Sequence, residues 1–138
     1  MENASELRPK TGDSEKITIN IGYVDLGRVD LLVRDGFYAN RTDFIRTAIR
    51  NQIERHGDAL NQSVARKQLE LGLSHYTRDR LEAAKTSGEL LHIHVLGLAS
   101  IADDVTPDLA RETIASVQVL GAFQASPSVK AALRDRIV

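Results

Sequence analysis

The sequence predicts an α+β protein in two parts: a small strand–helix–helix unit, then an α/β module of two strand–helix units. Three observations predict it. Residues 16–21, Lys-Ile-Thr-Ile-Asn-Ile, alternate strictly between polar and apolar, the period of a half-buried strand. Two apolar stripes at helical spacing follow before Gly57. Further on, Val95-Leu96-Gly97 recurs as Val119-Leu120-Gly121, and the same 24-residue offset relates Val105 to Val129, Leu109 to Leu133 and Ile114 to Val138.

The elements follow in order. Residues 1–15 are polar, with Pro9 and Gly12, and read as a flexible arm. The strand over 16–21 puts Ile17, Ile19 and Ile21 on one face and Lys16, Thr18 and Asn20 on the other. Asp25 is placed to N-cap a helix from about Leu26 to Asp35, whose apolar side is Leu26, Val29, Leu32 and Val33. Gly36 suits the left-handed residue that ends such a helix. Asn40 suits the N-cap of a second helix running to about His56, with Asp43 in its first turn and Gly57 closing it. Its stripe is Phe44, Ile45, Ala48, Ile49 and Ile53. Residues 58–88 read as a helical connector: one helix over Leu60–Leu71, interrupted at Gly72, and another over 78–87, capped by Thr77 and closed by Gly88. Residues 89–138 hold the repeat. Each copy is a β-branched strand, a turn with Pro107 or Pro127, and a short helix. A period of this size suggests stacked rungs with parallel strands.

Composition narrows the function classes. The chain has 138 residues, 42% hydrophobic and 27% charged, as in ordinary globular proteins. It has no apolar run of membrane-spanning length, and residues 1–15 do not read as a signal peptide. Without cysteine it has no disulfide framework and no thiolate-held metal. These features fit a cytoplasmic protein. A net charge of −1 argues against holding nucleic acid by bulk positive charge, so any DNA-binding surface is small and local.

Over residues 16–53 the ordered set of motifs resembles the ribbon-helix-helix DNA-binding family, which includes the Arc and methionine repressors. The alternating strand is followed by an amphipathic helix, Gly36-Phe37-Tyr38, Arg41-Thr42, and Ile45-Arg46-Thr47-Ala48-Ile49-Arg50. Gly22 departs from the pattern, since many members have Pro there. The resemblance implies a homodimer whose two strands pair antiparallel and lie in the major groove, with 16–57 as the DNA-binding domain. The dimer core would be Ile17, Ile19, Ile21, Ile45 and Ile49. Lys16, Thr18 and Asn20 would face the bases, and all three side-chain types can read base edges. Asn40, Arg41 and Thr42 would hold a phosphate at the N-terminus of the second helix, where backbone N–H groups are free. A two-fold dimer implies a pseudo-palindromic site on double-stranded DNA.

The rest of the chain suggests an oligomerisation or partner-binding role for 89–138. An apolar strand over 92–99 needs its edge covered, which points to self-assembly beyond a dimer. The alternative function is the antitoxin of a toxin–antitoxin pair, with a toxin-binding C-terminus. The apolar content of 89–138 favours a regulator that folds without a toxin. His92 and His94 share a strand face and could share a metal. A nickel-responsive branch of the family has a similar His-x-His strand, but it also uses a cysteine this chain lacks. The expectation is therefore no metal and no cofactor. No nucleophile–base pattern or phosphate-cradling glycine loop occurs, so no enzyme is expected.

Overall fold

A computed structural model describes residues 14–138, which divide into two compact units, Ser14–Ser63 and Val64–Val138. The arm expected over 1–15 lies, but for its last two residues, outside the described residues.

In the first unit, residues 14–22 are exposed, have no regular secondary structure and pair with no strand among the described residues. A strand needs a partner for its backbone N–H and C=O groups, and 16–21 finds none among the described residues. Helix α1 covers Tyr23–Arg34. It starts earlier than Asp25 suggested: Gly22 is the N-cap, without a side-chain cap, and Asp25 sits in the first turn, bonded to Arg28 at 3.2 Å. Gly36, at φ 90°, ends it as expected. Its N–H donates to the Val33 carbonyl and the Phe37 N–H to that of Leu32, the paired bonds of a Schellman turn. Helix α2 covers Arg41–Arg55 and is followed at once by α3, Gly57–Lys67. Gly57 therefore opens a helix instead of closing one. Leu60 donates back to the His56 carbonyl, so only His56 breaks the helical run.

The second unit has a core. Three strands, β1 (Glu70–Tyr76), β2 (Leu91–Ile101) and β3 (Ile114–Gln124), form a sheet in sequence order, with both pairings parallel. Helices α4 (Arg78–Ser87), α5 (Pro107–Thr113) and α6 (Pro127–Ala132) follow the strands. Thr77, Thr106 and Ser126 each cap the next helix through a side-chain oxygen, and Gly88 closes α4 at φ 76° as expected. Leu81, Leu109 and Val129 from the helices pack with Ile93, Val95 and Val117 from the sheet. A 3₁₀ turn over Arg134–Arg136 closes the chain.

Two expectations are corrected here. The connector over 58–88 is not wholly helical, since its centre is β1. The strand over 92–99 is not an edge: β2 lies in the middle, paired on both sides. A single signal explains both. Leu71-Gly72-Leu73 repeats Leu96-Gly97-Leu98, and the two triplets are paired residue for residue, as is Leu96-Gly97 with Leu120-Gly121. The three glycines have φ of 121°, 142° and 120°. A Cβ on Gly97 would collide with the carbonyl oxygen of Gly72, and one on Gly121 with that of Gly97. Only glycine allows these backbones to approach in this conformation.

The strand period sorts the sheet into two faces. Ile93, Val95, Ala99 and Ile101 are buried and face the helices. The alternate residues face the other way. Across the middle of that outer face run the rows Leu71–Leu96–Leu120 and Leu73–Leu98–Ala122. No helix of the described residues is long and apolar enough to cross a membrane.

Candidate nucleic-acid interface

Ile17, Ile19 and Ile21 are 73%, 67% and 39% exposed, and the opposing Lys16, Thr18 and Asn20 are exposed too. The segment thus carries an apolar face that the described residues leave largely exposed. The two helices beside it do not complete a core. Val29 is buried, Ile45 is half-buried, and Ile49 and Ile53 remain about half exposed at 48% and 54%. The five isoleucines expected in a dimer core are thus not buried within one chain. The turn between α1 and α2 is pinned by an edge-to-face contact of Tyr38 and Phe44, with ring centroids 5.0 Å apart.

The start of α2 is built by reciprocal capping. The Asn40 side chain accepts from the Asp43 N–H at 2.8 Å, and Asp43 Oδ2 accepts from the Ala39 N–H at 2.9 Å. The Asp43 carboxylate is thereby turned back onto the backbone at Ala39. The N–H groups of Arg41 and Thr42 have no partner among the described residues, so two donors remain at the positive end of a 15-residue helix. Such an end favours an anion.

Arg41 itself is engaged. Its Nε and Nη2 donate to the two carboxylate oxygens of Asp30 at 2.8 and 2.9 Å. That bonding holds the Asp30 carboxyl below the usual carboxylate range, its attraction to Arg41 and Arg34 acting the same way, and it raises Arg41 further. Asp30 precedes Arg41 by eleven residues and lies in the other helix. No local spacing rule points to it, and the sequence reading missed it. Within α1, Arg28 is paired with Asp25.

His92 and His94 lie on the outer face of the sheet. His92 Nδ1 and His94 Nε2 share the Ser116 hydroxyl, at 2.8 and 3.0 Å. His75 Nδ1 shares a hydrogen bond with Ser100 Oγ at 2.7 Å. Among the described residues, no three histidines or carboxylates come together in a group that could hold a metal.

An exposed segment of alternating residues thus precedes two helices, the second of which has an open N-terminus. The sequence pattern of the ribbon-helix-helix transcriptional regulator family matches residues 12–130. The chain belongs to that family and is a DNA-binding transcriptional regulator. The match runs through β1, β2 and β3 into α6, so the sheet unit is part of what the family shares. No curated protein and no solved structure matches the chain.

Proposed function

We propose that the chain is a sequence-specific repressor acting as a homodimer through residues 16–57. The observation that carries this reading is the bare apolar face of Ile17, Ile19 and Ile21 on a segment without a strand partner. Two copies related by a two-fold axis would give each segment its missing ladder and bury both isoleucine faces together. The opposite face, Lys16, Thr18 and Asn20, would then enter the major groove, a docking mode open to two-stranded ribbons. Asn40, Arg41 and Thr42 would position the dimer on phosphates, mainly through the free N–H groups of Arg41 and Thr42. Fixed donors of this kind allow a chain of net charge −1 to bind a polyanion. The operator would be pseudo-palindromic, and 64–138 would serve assembly. The closed core of that unit favours this reading over an antitoxin whose C-terminus folds on a toxin.

Selection of bound sequences from a random DNA pool tests the proposal. Recovery of a symmetric site is expected. On that site Thr18→Ala or Asn20→Ala should cost about 1–3 kcal/mol of binding while the dimer persists. Wild-type affinity in both variants would show that another surface reads the DNA.

A further inference from the structure

The sheet of the second unit is parallel, yet among the described residues of that unit helices cover only one of its faces. Parallel sheets usually bury both. The uncovered face has an apolar middle, where Leu71, Leu73 and Leu120 are 70%, 67% and 48% exposed. Towards the start of the strands lie His92, His94 and Ser116, and towards their ends His75, Ser100 and Gln124. No Asp, Glu, Lys or Arg points outward from any of the three strands, in a chain where 27% of residues are charged. Glu70 lies on the helix side, within 3.3 Å of Ser74.

We propose that this face packs against the same face of a second copy of the chain. Its lack of charge is the first argument. A nucleic acid, a basic peptide or an acidic one would find little complementary charge there, since Asp103 and Lys130 stand only at the end beside His75, Ser100 and Gln124, whereas a copy of the face meets little like-charge repulsion. The second argument is the order polar–apolar–polar along the strands. A two-fold axis across the middle carries each polar end onto the other and the apolar band onto itself, as an isologous interface requires. An apolar centre with a polar rim is also the usual anatomy of a protein interface. The third is the chemistry of the rim. Ser, His and Gln side chains both donate and accept, so either end can bond to its counterpart. The inference deepens the assembly role proposed for 64–138 and does not depend on DNA binding.

The test is sedimentation equilibrium of the full chain with circular dichroism as the check on folding. Ile19→Asp removes the ribbon as an interface and should leave a dimer. Adding Leu73→Glu, at a site already exposed in the single chain, should raise the dissociation constant at least 100-fold and give a monomer with its helix and sheet signal intact. Leu120→Glu in the same background is the second variant and should do the same. A folded monomer from Ile19→Asp alone overturns the inference, and so does a dimer that survives both glutamates. DNA binding is read separately. A chain that binds no DNA but shows the expected masses keeps this inference and loses the other, and the reverse result does the reverse.

Discussion

Arg41 and Asp30 are joined through both carboxylate oxygens, at 2.8 and 2.9 Å, and the pair ties the start of α2 to α1. The cation best placed to meet a phosphate is therefore already shared with a carboxylate. Asp30→Asn should release it and remove a nearby negative charge. Operator binding should tighten a few-fold, and the slope of log affinity against log salt should steepen by about one phosphate contact. Titrations at several salt concentrations read both quantities. Weaker binding at every salt would instead make the pair a strut that holds the helix start in position.

The same pair has a pH signature, as does Arg111–Asp135 in the second unit, where Nη1 and Nη2 donate to the two carboxylate oxygens at 2.8 and 3.2 Å. Both carboxyls are held below their ordinary range, chiefly by the arginine hydrogen bonds. A lowered folded value means stability that is present above the unfolded value, near pH 4, and lost as pH falls through the folded one. Asp135→Asn should lower the urea midpoint at pH 7, and that gap should narrow as pH falls below the unfolded value. The difference should be small because the groups are exposed. A gap that persists unchanged at the acid end would mean that charge is not what the pair contributes.

The glycine ladder ranks three substitutions. Gly97→Ala and Gly121→Ala each place a Cβ against the backbone of the neighbouring strand and strain a positive φ as well. Each should cost more than about 3 kcal/mol, a large share of the stability of a small domain. At Gly72 nothing lies within 4 Å of the added Cβ, so only the backbone strain of about 1–3 kcal/mol applies. Urea unfolding monitored by circular dichroism gives the order. Equal losses at all three sites would remove close strand approach as the reason for glycine there.

In the first unit the cap at Asn40 and the turn at Gly36 were legible because each depends on neighbours within a few residues; a strand at 16–21 was not, because its partner is not local. The arginine partner Asp30 was not, because nothing local links α1 to the head of α2. In the second unit the two strands 24 residues apart were legible as a pair. The third strand was hidden because its Leu-Gly-Leu stands 25 residues before the next, so a scan at fixed offset passes over it. Gly72 looked like a helix breaker for the same reason. Once β1 is missing, β2 reads as an edge. The bareness of the outer face appears only when all three strands are laid side by side.

Thr113 offers a separation of two effects at one buried site. It is fully buried at the end of α5, and its Oγ1 donates to the Leu109 carbonyl at 2.8 Å. Thr113→Val keeps the shape and loses the hydrogen bond, which should cost about 0.5–1.5 kcal/mol. Thr113→Ser keeps the bond and loses a methyl group, for about 1 kcal/mol. Thr113→Ala loses both. If the hydroxyl and the methyl act independently, its cost should equal the other two together, within about 0.5 kcal/mol. Denaturant midpoints at constant m-value provide the three numbers. A valine variant as stable as wild type would mean that the hydroxyl only satisfies its own burial, and that an apolar group of the same shape serves α5 equally well.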